Sequence, residues 1–267
     1  MPDDFTLHPP QARLLDGRRA LVTGATQGIG EGTAYELAAH GAAVAVNFRS
    51  DEDAARRIVA TIERAGGRAV PVGMDVSSEE QVERGFDEAR EALGGLDLLV
   101  NNAGVEKPFE LVDMPLDEWE RVLQVNLTGP FLCSRAAARI MRRDASRGTI
   151  VMVSSVHEQI PWREFSHYCA SKGGLKLFAQ SIANELAPHG IRVASVAPGA
   201  IATPINEDVL TDPEERRAVE RQTASGRWGT VADVARAIAW LSSPQADYVV
   251  GTTLFVDGGM TLYPNFV

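Results

Sequence analysis

Seven short apolar runs recur along the chain, at about 19–23, 43–48, 69–73, 96–100, 149–154, 191–197 and 252–257. Each is nearly continuous rather than alternating, which is the pattern of strands buried on both faces. Between them lie longer stretches where apolar and charged residues share a helical period, as in Glu31 to His40. Strands alternating with such helices predict an α/β domain: a parallel sheet with helices on both faces. At 267 residues and 45% hydrophobic composition, the chain suits one well-packed domain and is short for two. No internal repeat or low-complexity tract interrupts it. Residues 1–16, with Asp3-Asp4 and Pro9-Pro10, lack the basic and apolar regions of a signal peptide and read as a flexible extension, leaving 17–267 as the folded domain.

Charge and cysteine content narrow the function classes. A net charge of −10 argues against nucleic acid or an anionic membrane as partner, and the local pair Arg142-Arg143 does not change that. No run is long and apolar enough to span a bilayer. The two cysteines, Cys133 and Cys169, provide no disulfide framework and fit a reducing cytoplasm, with Cys169 read as a small packing residue. His157-Glu158 opens like a zinc-protease helix but meets Pro161 and has no second histidine at the required spacing, so no catalytic metal is expected.

The first apolar run ends in Gly24-Ala-Thr-Gln-Gly28-Ile-Gly30, a glycine-rich turn leading into a helix. Glycines suit a backbone that turns tightly, exposes N–H groups and admits a pyrophosphate at a helix N-terminus. The spacing differs from the commonest dinucleotide fingerprint, and alone it is a weak motif. The second run ends at Asn47, where an acidic residue would bond the adenosine ribose of NAD, with Arg49 two residues on. Asparagine does not repel a 2′-phosphate and arginine can pair with one, so NADP is expected to be accepted, with NAD as well. Arg49 also reads as a solvated loop charge, since Gln27 adds no second cation. Asp75-Val76 and Asn101-Asn102-Ala103-Gly104 follow two further strands, where Asp75 could reach the adenine edge and Asn101 to Gly104 could floor a cofactor cleft. Both segments are equally at home in turns.

The densest chemistry lies at Tyr168-Cys-Ala-Ser-Lys172, with Ser155 thirteen residues upstream. A phenol and an ammonium at i and i+4 share a helix face, and an adjacent cation favours phenolate, so Tyr168 could act as a general base. Taken alone, the five residues also describe an ordinary pair on an amphipathic helix.

Thr23-Gly24-x-x-x-Gly28-Ile29-Gly30, Asn101-Asn102-Ala103-Gly104, Asn126, Ser155, Tyr168-x-x-x-Lys172 and Pro198-Gly199 together resemble the short-chain dehydrogenase/reductase family, over about Gly17 to Met260. Within it, Ser154-Ser-Val-His-Glu158-x-Ile-Pro-Trp162, Pro198-Gly-Ala-Ile-x-Thr-Pro-Ile205 and Asp257-Gly-Gly-Met-Thr-Leu-Tyr-Pro264 look like the glucose 1-dehydrogenases. The resemblance implies a single doubly wound Rossmann domain with strand order 3-2-1-4-5-6-7. It also implies NADP or NAD as cofactor, bound by Gly24, Thr26, Gln27, Gly28, Ile29, Gly30, Asn47, Arg49, Asp75, Val76, Asn102, Ala103, Gly104, Tyr168, Lys172, Pro198, Gly199, Ile201 and Thr203.

By the same resemblance Ser155 orients the substrate oxygen, Tyr168 takes the hydroxyl proton, and Lys172 lowers the tyrosine pKa while holding the nicotinamide ribose. Asn126 anchors a water leading to solvent, and Ile201 and Thr203 contact the carboxamide. The implied reaction oxidises a sugar or secondary alcohol, glucose C1 first, with a 3-oxoacyl-carrier-protein reductase and a silent NADP sensor as alternatives. A sugar needs several hydrogen-bonding groups, for which Glu106, His157 and Glu158 are candidates. His157 also reads as a solvated loop histidine, and Trp162 as either a pocket wall or a loop anchor. Arg163-Glu164 and Ala194-Ser195 depart from the glucose enzymes. A homotetramer is implied, with 261–267 packing near a neighbour's site.

Overall fold

The computed structural model describes residues 13–144 and 146–262. Its sheet comprises β1 (Arg19–Val22), β2 (Ala43–Phe48), β3 (Arg68–Gly73), β4 (Leu98–Asn101), β5 (Gly148–Val153), β6 (Ile191–Pro198) and β7 (Thr253–Val256). All pairings are parallel, in the order β3-β2-β1-β4-β5-β6-β7. The expected strand positions and order are therefore met.

Period-2 geometry divides the strand side chains between two cores. Ala20, Val22, Val44, Val46, Leu98 and Val100 pack on one face against α1 (Gly28–Ala39), α2 (Glu52–Arg64) and, late in the chain, α9 (Val231–Ser242). Leu21, Ala45, Leu99, Ile150 and Met152 face the other way, onto α3 (Glu79–Leu93), α5 (Gly129–Arg143) and α6 (Ser166–Leu186). A fully buried side chain such as Phe86 on α3 contributes roughly 2–3 kcal/mol by leaving water.

Local chemistry sets the helix ends. Asp51 caps α2 by accepting from Ala54 N, and Thr230 and Asp233 close a capping box on α9. Helix α4 (Leu116–Leu123) runs through a π-helical segment, Gln124–Thr128, into α5. Between β6 and β7 come two short helices, α7 (Glu207–Thr211) and α8 (Pro213–Glu220), before α9.

Two departures from the sequence reading concern boundaries. Helix α1 begins at Gly28 rather than Glu31, because the glycine turn is itself the first helical turn. Leu15 is fully buried in the core and its N–H donates to His40 O, so packing begins ahead of the expected boundary at 17. The rest of the expected extension, 1–12, and the tail from 263 lie outside the described residues.

The two edges of the sheet differ in composition. At the amino edge, Asp97 is buried, forms an ion pair with Arg18 Nε at 2.9 Å and accepts from Arg19 Nε at 2.8 Å. Arg192 at the start of β6 donates to Leu241 O and Ser243 O, tying α9 to the sheet. At the carboxyl edge, β1 lies between β2 and β4, where successive strands are added first on one side and then on the other. Such a switch point opens a crevice beyond the strand ends.

Candidate active site

A cavity of about 1340 Å³ follows the carboxyl edge, from the glycine turn after β1 to the lid formed by α7 and α8. At the first end Gly24 and Gly28 have φ of 59° and 56°, the left-handed region that glycine adopts without strain. A side chain at Gly30 would meet Asn102 Nδ2 at 2.5 Å and Ala25 Cα at 3.0 Å, so the turn closes only around hydrogen. The Asn102 amide donates to Thr23 O and Gly24 O, both at 2.9 Å, while Thr23 Oγ1 accepts from Asn102 N and Ala103 N. Gln27, at the N-cap of α1, makes no side-chain cap bond. The free N–H groups of the α1 first turn therefore face the cavity, an arrangement that fits a pyrophosphate without a countercation.

Most expected cofactor residues line this half: Gly24, Thr26, Gln27, Gly28, Ile29, Gly30, Asn47, Arg49, Asp75, Val76, Asn102, Ala103 and Gly104, with Pro198, Gly199, Ile201 and Thr203 across from them. Two of the readings there change, and of the two left open for Asp75 the turn is seen. Asn47 is buried and its carboxamide is already spent, accepting from Gly24 N at 3.0 Å and donating to Val72 O and Met74 O. It staples β2 to the glycine turn and to β3, and offers nothing to a ribose. Asn101 is likewise turned inward, onto Ser134 Oγ and Met152 Sδ. Asp75 closes a turn on Ser77, accepting from both its N–H and its hydroxyl. Arg49 is exposed on the cavity wall beside Ser50, which the sequence reading did not single out.

At the other end Tyr168 and Lys172 project from α6 one turn apart. Lys172 is almost fully buried; its Nζ donates to Val153 O at 2.9 Å and lies 5.5 Å from the centre of the Tyr168 ring. Ser155 ends the loop after β5 and starts a 3₁₀ turn, Val156–Glu158, where its Oγ accepts from His157 N. Burial drives the Tyr168 phenol up, the Glu106 charge adds to this, and the hydrogen bond from Ser155 opposes it. Burial pushes Lys172 the other way, down to about 8, against the pull of Glu106 and Glu158. The expected lowering of the tyrosine by its lysine is thus absent from the protein alone. Lys172 points its charge at a carbonyl above the ring face, and desolvation outweighs the pair interaction.

Asn126 sits in the π segment, buried, with Oδ1 accepting from Val105 N and Nδ2 donating to Val105 O and Ser171 Oγ. Its side chain pins the loop after β4 to α6.

Glu106 and His157 both reach the cavity. Burial raises the Glu106 carboxyl, and burial lowers His157, whose Nδ1 lies 3.1 Å from Ile160 O. His157 stacks on Trp162 at 4.5 Å and Trp162 on Phe165 at 3.7 Å, a bank of rings that meets Tyr168 edge-on. Glu158 does not join them: its side chain is fully buried and faces Lys176, because alternate residues of a tight turn point to opposite sides. Ile205, Val209, Val219, Met260 and Leu262 also line the cavity. Sequence reading missed this apolar lid; its one signal was the unusually long stretch between the sixth and seventh strands.

Among the described residues no helix is long and apolar enough to cross a membrane. A family model described as Enoyl-(Acyl carrier protein) reductase matches residues 24–261. The chain is 49% identical to 3beta-hydroxysteroid dehydrogenase 1 of Eggerthella lenta, over 94% of this chain and 97% of that one. It is 42% identical to Glucose 1-dehydrogenase 2 of Bacillus subtilis, with the same shares covered. In structure it is similar to a gluconate 5-dehydrogenase from Burkholderia cenocepacia solved with NADP and tartrate, at TM-score 0.89 and 35% identity, covering 95% of this chain and 98% of that one.

Proposed function

Because the chain belongs to the short-chain dehydrogenase/reductase family, we propose that it is an NAD(P)-dependent oxidoreductase in which Tyr168 exchanges a proton with a substrate hydroxyl. The observation that carries this reading is the placement of Tyr168, Ser155 and Lys172 at the closed end of a cavity whose other end is a glycine cradle. The nicotinamide, when bound, supplies the hydride acceptor and a positive charge. Ser155 Oγ orients the substrate oxygen, and the Tyr168 hydroxyl takes its proton. Lys172 would hold the nicotinamide ribose, and the positive charge of the bound nicotinamide would offset the burial that holds the phenol protonated. Asn126 contributes by fixing Val105 and Ser171, and the proton leaves past Lys172 along the π segment. Gly24 to Gly30 hold the phosphates, Asn102 to Gly104 form the floor, and Ile201 and Thr203 fix the ring face. Arg49 and Ser50 accept a 2′-phosphate, so NADP is used, and NAD as well.

For substrate, a sugar such as glucose is supported by Glu106 and His157, whose remaining polar atoms can grip neighbouring hydroxyls. A second reading, a flat apolar ring alcohol, is favoured by the ring bank and the aliphatic lid. Reduction of a 3-oxoacyl thioester finds less support, since among the described residues lining the cavity the arginines are Arg49, at the cofactor end, and Arg221. A silent NADP sensor finds least, because Ser155, Tyr168 and Lys172 are all present. Initial rates with NAD and NADP over sugars, 3-hydroxysteroids and a 3-oxoacyl thioester separate these readings. Glucose oxidation supports the first, steroid turnover alone the second, and cofactor binding without any turnover removes catalysis.

The proposed assembly is a homotetramer in the cytoplasm. It is supported by the exposed apolar side chains Leu116, Phe131, Leu177, Trp240, Tyr248 and Val250, which contacts with further copies would cover. Light scattering that gives a monomer would remove this part.

A further inference from the structure

Of the 26 lysine and arginine residues only three are lysines: Lys107, Lys172 and Lys176. Lys107 follows Glu106 in the loop after β4, and the other two lie one turn apart on the stripe of α6 that carries Tyr168. A chain that elsewhere uses the permanently charged guanidinium keeps a buried ammonium here, at Lys172.

Glu158 stands in the adjoining 3₁₀ turn with its side chain fully buried and Oε1 3.4 Å from Lys176 Nζ. Neither carboxylate oxygen has a hydrogen-bond donor among the described residues, and Glu158 does not line the cavity. It therefore neither caps the turn nor meets substrate. A buried carboxylate without hydrogen bonds is costly to keep ionised and needs cations around it. Lys176, about one-third exposed, is one such cation. Lys172, a turn earlier on the same helix face, is the other.

We infer that Glu158 is a positioning residue: held inward by the turn that starts at Ser155 and braced by Lys176, it keeps the buried Lys172 ammonium charged beside Tyr168. This rests on the reading of Tyr168 and Lys172 as the proton-transfer pair. Lys172 is faced by Tyr168 and Lys176 from α6, by Glu158 from the turn after β5, by Glu106 from the loop after β4, and by the Val153 carbonyl. Burial and the two carboxylates pull in opposite directions there. Neutralising Glu158 leaves only Glu106 as a carboxylate facing Lys172, and burial pushes that carboxyl up.

Three lysines allow a direct test. Protein isotopically labelled at lysine Cε gives three NMR resonances, assigned with Lys107→Arg and Lys176→Arg. In Glu158→Gln the Lys172 resonance is expected to titrate about one pH unit or more lower. The alkaline limb of kcat should move down with it, because the ammonium is lost earlier as pH rises. An unshifted Lys172 titration in a variant that still melts cooperatively overturns the inference. If Glu158→Gln does not fold, the double variant Glu158→Gln/Lys176→Met, which leaves no stranded cation, decides against Lys176→Met alone: Lys172 should titrate lower in the double variant, and an equal or higher value overturns the inference. Should wild type turn over no substrate, the dehydrogenase reading fails, while the titration still decides whether Glu158 holds Lys172.

Discussion

At the amino edge of the sheet, Asp97 meets Arg18 and Arg19, and Arg192 is spent on backbone carbonyls of α9. At the carboxyl edge, Tyr168, Lys172, Glu106 and His157 are comparably withdrawn from water, yet each faces a cavity. The first set has opposite charges within direct contact. The second has Tyr168 driven up and Lys172 driven down, both toward their neutral forms. Burial alone therefore does not mark function. What marks it is buried ionisable groups whose partners are missing until something enters the cavity.

Substitutions at the two edges should separate stability from chemistry. The largest effect is expected from Asp97→Ala, which strands Arg18 and Arg19 without their carboxylate. A loss of about 3–5 kcal/mol in denaturant unfolding is predicted, with kcat per folded molecule unchanged. A change in kcat with intact stability would erase the distinction between the edges. Next is Arg49→Ala, which should raise KM for NADP about tenfold by removing a charge-assisted bond, while KM for NAD stays put. Equal changes for both cofactors would remove Arg49 from phosphate recognition.

The smallest effect is the most pointed. Lys172 has a folded pKa near 8 against an ordinary 10.5, so folding disfavours its charged form. The unfolded chain binds more protons between those values, and stability should rise with pH across that window. Lys172→Met should accordingly remove that rise with little net change in stability at neutral pH, the relief of burial being set against the lost bond to Val153 O and the cation lost beside Glu158, while abolishing turnover. Destabilisation measured by calorimetry would show that Lys172 is structural.

The same contrast explains what the sequence made legible. Strands buried on both faces leave continuous apolar runs, so sheet order and the glycine cradle could be read in advance. Ser155, Tyr168 and Lys172 are local to one loop and one helix turn, and their spacing carried them. Asn47 and Glu158 sit at readable positions but point inward, a rotation set by β3 and by Lys176 across long sequence distances. The lid over the substrate end is carried by helices of 5 and 8 residues, too short to show a period, so it gave no pattern. Substrate choice lies in that lid and in the ring stack, which is why fold and cofactor are better defined than substrate.

The central claim is that the carboxyl edge is built for proton exchange at Tyr168. The most direct measurement is the initial rate of NADPH formation by Tyr168→Phe on an alcohol that wild type oxidises, with cofactor affinity measured on the same preparation. A loss of ~10²-fold or more in kcat, at nearly unchanged cofactor affinity and melting temperature, is predicted. Turnover close to wild type would contradict it.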